Sequence, residues 1–127
     1  MTQEEKDLLL KDLCTRLPYN TICQVECKNC GKYETKNMTL SGIFKDEAYF
    51  TIENGSVYSN NYKPYLFPFS SMTEEQKEEY QYITERWMND PTYSISDSTD
   101  WLNKNHFDYR GLIEKGLAID ATGLNVY

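Results

Sequence analysis

The sequence predicts an α+β fold: an N-terminal helix, a small curved and barrel-like antiparallel sheet of four to five strands, then two to three C-terminal helices. Three observations carry this expectation. Thr2-Gln3-Glu4-Glu5 and Thr73-Glu74-Glu75-Gln76 each have the spacing of a capping box, so a helix is expected to begin on either side of the central stretch. Between them, residues 21–58 alternate apolar and polar side chains in short runs broken by turn residues, the period of half-buried strands. The length of 127 residues suits a single domain, 1–127, with one core, and no linker or repeat divides it.

In chain order, Leu9, Leu10, Leu13, Cys14 and Leu17 recur at helical spacing and Pro18 ends the run, which predicts a helix over about 3–16. Cys23, Val25 and Cys27 then alternate with Gln24 and Glu26 as a strand. The runs Thr35 to Phe44 and Ala48 to Ile52, separated by Lys45-Asp46-Glu47, read as a hairpin. Asn54-Gly55 is the dipeptide that tight hairpin turns favour, so Val57-Tyr58 opens a further antiparallel strand. Pro64 and Pro68 exclude a central strand around Tyr65, Leu66 and Phe67 and point to an edge strand or extended arm. A helix over about 73–88 follows, with Gln76, Tyr80, Ile83 and Trp87 on one face, and Asp90-Pro91 stops it. A Ser/Thr/Asp-rich loop over 91–100 leads, through an N-cap near Thr99 or Asp100, to a short helix bearing Trp101, Leu102 and His106. Asp108 is placed to cap a last helix over Tyr109 to Lys115, with Gly116 as its left-handed stop. Leu117 to Asp120 alternate as a closing edge strand.

Charge and composition exclude several function classes. With 13 Lys and Arg against 20 Asp and Glu, the net charge is −7, and contact with nucleic-acid backbone or anionic lipid would need clustered cations that the chain lacks. No apolar run approaches the roughly 18 residues of a membrane span, and the polar, acidic start differs from an export signal. The expected setting is cytoplasmic. Eleven Tyr, five Phe and two Trp bring the aromatic share to 14%, far more than a disordered acidic chain would hold, so a real core is expected.

Four groupings are candidates for chemistry. Cys27-Lys28-Asn29-Cys30-Gly31 has the two-residue spacing of a zinc knuckle, but a closed site needs four ligands, and Cys14, Cys23 and His106 form no second pair. Cys14 and Cys23 read equally well as small buried hydrophobes, and no cofactor is expected. His106 and Asp108 could suggest a base with its orienting carboxylate, yet residues two apart on a helix face different ways. No phosphate-binding, dinucleotide, nucleophile-elbow or metalloprotease motif occurs. Glu74, Glu75, Glu78, Glu79 and Glu85 make an acidic helix face that solvation and the helix dipole explain. The aromatic group Tyr58, Tyr62, Tyr65 and Phe67, with Phe69 beyond it, lies where the prolines keep the backbone extended, and Arg110 is a cation available for an anionic ligand. Such rings either line a binding groove or fill the sheet-to-helix interface.

The stretches Lys63-Pro64-Tyr65-Leu66-Phe67-Pro68-Phe69-Ser70-Ser71-Met72-Thr73 and His106-Phe107-Asp108-Tyr109-Arg110-Gly111-Leu112-Ile113-Glu114-Lys115-Gly116-Leu117-Ala118-Ile119 resemble a group of small proteins encoded by phages, prophages and mobile elements of Bacteroides-type gut bacteria. Leu8 to Tyr19 resembles the group as well, and about 85–100 matches least. At Phe67 relatives often place Arg, and the Cys27/Cys30 pair is not a feature of the group. The resemblance implies a mobile-element origin and the cytoplasm of a bacterial host, and implies no activity. The resulting expectation is a non-enzymatic binding protein that engages a host or phage protein through Tyr58, Tyr62, Tyr65, Phe67 and Arg110. The alternatives are a protein that sequesters a nucleotide between aromatic rings and Arg, and a zinc module on Cys27/Cys30.

Overall fold

The computed structural model describes residues 2–29, 32–44, 47–52, 55–89 and 95–127. Helix α1 spans Gln3–Arg16 and opens on the expected capping box: the Glu5 amide donates to Thr2 Oγ1 at 3.1 Å, and the Thr2 amide donates to the Glu5 carboxylate at 3.2 Å. Those two Thr2 contacts hold the Glu5 carboxyl below its ordinary pKa. A short 3-10 turn over Leu17–Tyr19 and a left-handed Asn20 then reverse the chain into the sheet.

Strands β1 (Ile22–Asn29), β2 (Lys32–Phe44), β3 (Glu47–Ile52) and β4 (Gly55–Ser59) form the expected antiparallel meander. Strand β5 (Tyr62–Leu66) returns to pair antiparallel with β1, and the two-residue β6 (Ile119–Asp120) adds parallel to β5, giving the order β4-β3-β2-β1-β5-β6. Only Asn60 and Asn61 separate β4 from β5, although β3, β2 and β1 lie between them in the sheet. The sheet must therefore curl, and the Ser59 hydroxyl of β4 donates to the Glu26 carbonyl of β1 at 3.0 Å. The barrel-like closure expected from sequence is not reached, because β4 and β6 remain two separate edges.

The expected edge arm is also corrected: β5 lies between β1 and β6. Pro64 is tolerated there for a geometric reason. The Glu26 amide donates to the Asn61 carbonyl at 3.0 Å, so backbone groups of residues 61, 63 and 65 face β1 and those of 62, 64 and 66 face the other flank. Pro64 thus lacks a donor only on a flank where β6 begins to pair at Tyr65.

Helix α2 spans Glu74–Asn89 and starts on the second capping box, with Thr73 and Gln76 exchanging side chain-to-amide bonds at 2.9 and 3.1 Å. Helix α3 spans Ile95–Lys104, beginning before the expected cap and ending before His106. Ser98, Trp101 and Leu102 are buried at i, i+3 and i+4, so packing extends the helix into a tract of poor helix formers. The expected helix over 109–115 does not form. Gly111 takes φ +72°, which breaks helical geometry, while Asp108 still accepts the Leu112 and Ile113 amides at 2.9 and 3.0 Å. Gly116 is left-handed at φ +73°, as expected, and Leu117 folds back to donate to the Leu112 carbonyl.

One core lies between α1 and the inner sheet face, built on Leu9, Leu13, Val25, Leu40, Phe50 and Leu66. A second cluster joins α2 and α3 to the end of β5 through Trp101, Leu102 and Phe107. No helix among the described residues is long and apolar enough to cross a membrane. Cys30, Lys45-Asp46, Asn54 and Asp90-Pro91 lie outside the described residues, as do the side chains of Cys27 and Trp87. The zinc-knuckle reading falls on that part of the chain.

Candidate functional site

The aromatic group does not converge on one groove. Tyr62 and Tyr65 are 4% and 6% exposed. Tyr62 packs inward against Phe50, ring centroids 5.4 Å apart, and Tyr65 lies across the opposite face to donate to Asn37 Oδ1 at 2.7 Å. Phe67 is half-buried against Phe107 and Tyr127. These positions correct the expectation of an open arm: Tyr62 packs into the core that α1 covers, and Tyr65 is laid across the outer face and tied to Asn37 of β2, while Lys63 between them stays exposed. Tyr58, by contrast, is 65% exposed on β4.

Arg110 belongs to a buried polar network that the sequence reading did not foresee. The buried face of α1 is Leu9, Asp12, Leu13 and Arg16, rotated from the stripe expected, and Cys14 is exposed rather than core-facing. Arg16 Nε donates to Asp12 Oδ2 at 2.7 Å, Arg110 Nη1 to Asp12 Oδ1 at 3.0 Å, and Arg16 Nη2 to the Phe107 carbonyl at 2.6 Å. Both guanidiniums lie over the Tyr109 ring, Arg16 at 5.2 Å and Arg110 at 4.7 Å from its centroid. Its hydroxyl donates to Asn103 Oδ1 at 2.9 Å and accepts from Arg110 Nη1 at 2.8 Å. One carboxylate therefore serves two cations. Arg16 Nη1 is buried without a hydrogen-bond partner among the described residues, as is His106 Nδ1. The signal for this network was present as an Asp-Arg pair at i, i+4, a spacing that places both on one helix face. Arg110 is thereby committed to Asp12 and Tyr109.

His106 stands where the network meets the sheet. Asp108 is occupied with backbone amides and does not orient it. Burial first, and the Arg16 charge second, push the His106 imidazole down to about 4. Its ring stacks on Tyr127, with centroids 3.7 Å apart and planes 12° from parallel. The Tyr127 hydroxyl accepts from the Ile22 amide at 3.0 Å and donates to the Tyr65 carbonyl at 2.7 Å. The β1–β5 ladder stops at the Cys23/Pro64 pair, so Ile22 and Tyr65 would form its next hydrogen-bonded pair. The phenol hydroxyl is inserted between them and satisfies both groups. Beyond it, Phe67 exchanges backbone bonds with His106 and Asp108 at 2.8 and 2.9 Å, so the 106–108 segment takes over the flank that β1 leaves.

On the outer sheet face, the register shifts between Leu40 and Gly42, leaving Ser41 as an extra residue opposite no partner. That bulge reverses the alternation: Ile43 packs inward, while Phe44 turns to solvent, 63% exposed. Tyr49 and Tyr58 lie opposite each other on the same outer face, centroids 5.9 Å apart, and Gly42 adds no side chain beside them. A separate polar cleft of about 250 Å³ is lined by Gln24, Glu26, Thr35, Asn61, Tyr62 and Lys63, with the Asn61 amide donating to the Glu26 carboxylate.

The Cys23 thiol is raised in pKa by burial, and no group of three or more metal-ligating side chains occurs among the described residues. No protein-family model, curated protein or solved structure matches the chain.

Proposed function

We propose that this chain is a non-enzymatic protein-binding module that docks a partner on Phe44, Tyr49 and Tyr58 and along the open edge of β4. The reading rests on one observation: the Ser41 bulge turns Phe44 outward onto the face that already carries Tyr58, leaving two aromatics 63% and 65% exposed on one side of the sheet. Covering the exposed part of each ring with a partner surface would contribute on the order of 1–2 kcal/mol. Aromatic side chains are the anchors that protein interfaces favour, and an edge strand supplies unpaired backbone groups for strand addition. The partner is a protein of the bacterial host or of the mobile element, as the family resemblance implies.

The test is a Phe44→Ser/Tyr58→Ser chain used as bait beside the unaltered one in lysate of the host. The variant should keep its far-UV dichroism and lose a defined, stoichiometric partner that the unaltered chain retains. A variant that keeps every partner removes the reading.

A further inference from the structure

Tyr127 fills a site made by other parts of the chain. Its ring lies flat on His106 and at 5.9 Å from Phe67, and its hydroxyl fits between an amide donor on Ile22 and a carbonyl acceptor on Tyr65. A group that both accepts and donates through one atom, carried on a flat ring, is what this slot recognises. The segment leading to the ring is weakly held. Residues 122–125 are exposed, Gly123 and Asn125 have positive φ, and among the described residues no backbone hydrogen bond holds 125–127. Among the described residues the Leu124 amide to the Ala121 carbonyl is the backbone tie nearest Tyr127, whose own contacts run through its ring and hydroxyl.

We propose that this slot is an exchangeable site for phenolic rings, occupied in cis by Tyr127 and open to a phenol in trans when the strap over 122–127 swings away. The ligand class is a para-substituted phenol, either a free small molecule or the tyrosyl side chain of another peptide. Local opening of a weakly tied segment sets the fraction of chains ready to bind, so the cis ring lowers the apparent affinity in proportion.

The experiment uses the full chain carrying Tyr127→Ala, titrated with p-cresol, toluene and N-acetyl-tyrosinamide. Binding is followed by thermal melting and by the Ile22 amide resonance. The variant should melt lower than the unaltered chain, and p-cresol should raise its melting temperature and shift the Ile22 amide. Toluene, which has the ring without the hydroxyl, should bind at least tenfold more weakly, and the unaltered chain should bind p-cresol at least tenfold more weakly than the variant. N-acetyl-tyrosinamide binding more tightly than p-cresol would identify a peptide tyrosine as the source, and equal binding a small phenol.

Equal binding of toluene and p-cresol, or equal binding of p-cresol to both chains, overturns the proposal. Should Tyr127→Ala not fold, hydrogen exchange of the Ile22 amide in the unaltered chain decides. Exchange through local opening, independent of low urea, supports the strap. Exchange only with global unfolding refutes it.

Discussion

Removing the Asp12 carboxylate takes from Arg16 and Arg110 the one ion-pair partner that both share among the described residues. Arg16 is wholly buried and cannot turn to water, so Asp12→Ala should cost about 3–5 kcal/mol, the usual penalty for stranding a buried charge. Urea denaturation measures it. Adding Arg16→Met should recover part of the loss, because Arg110 is partly exposed and can re-solvate; a double variant no more stable than Asp12→Ala would assign the loss to packing alone. At His106 the protonated form is disfavoured in the folded chain, so the unfolded chain binds more protons between about 4 and 6.5. The resulting stability is fully present above 6.5 and is lost as the pH falls towards about 4. His106→Asn suits the left-handed backbone at φ 62° and cannot titrate. Its melting temperature should fall less steeply than that of the unaltered chain over this window, and parallel curves would contradict the shift.

Elements with local chemistry at their ends were legible, and elements decided by one backbone irregularity were not. Two capping boxes, the alternation of Cys23 and Val25, and Gly116 each act through neighbours within a few residues, so α1, α2, the meander and the final turn could be read directly. The Ser41 bulge could not be read, since nothing in Leu40-Ser41-Gly42 states which residue will lack a partner across the sheet. Nor could burial of Asp12 and Arg16, whose polarity argues for the surface until residues 107–110 arrive to pair with them. Tyr62 and Tyr65 misled for the opposite reason: prolines signalled an edge, while a remote two-residue strand covered it. Gly111 gives a test with a clear sign. Within a helix, Gly→Ala would stabilise by about 1 kcal/mol. At φ +72°, with no atom of the described residues beyond its chain neighbours within 4 Å of an added Cβ, Gly111→Ala meets backbone strain and should destabilise by roughly 1–2 kcal/mol.

Across the whole molecule, two apolar clusters are tied by a few side chains. Arg16, on the helix that covers the sheet, bonds the carbonyl of Phe107, whose ring stacks on Trp101 in the second cluster. With that link intact, urea transitions followed by tryptophan fluorescence and by far-UV dichroism should coincide, and curves that separate would show the helical cluster opening alone. The position of Pro64 has a consequence during synthesis. In a growing chain, β5 emerges with its outer flank bare until all of α2, α3 and the stretch to Ile119 have been made. At about 5–20 residues per second, that lasts for seconds on the ribosome. A backbone N–H missing from that flank makes it a poorer template for other nascent chains. A residue that changes little in the finished fold thereby protects the unfinished one.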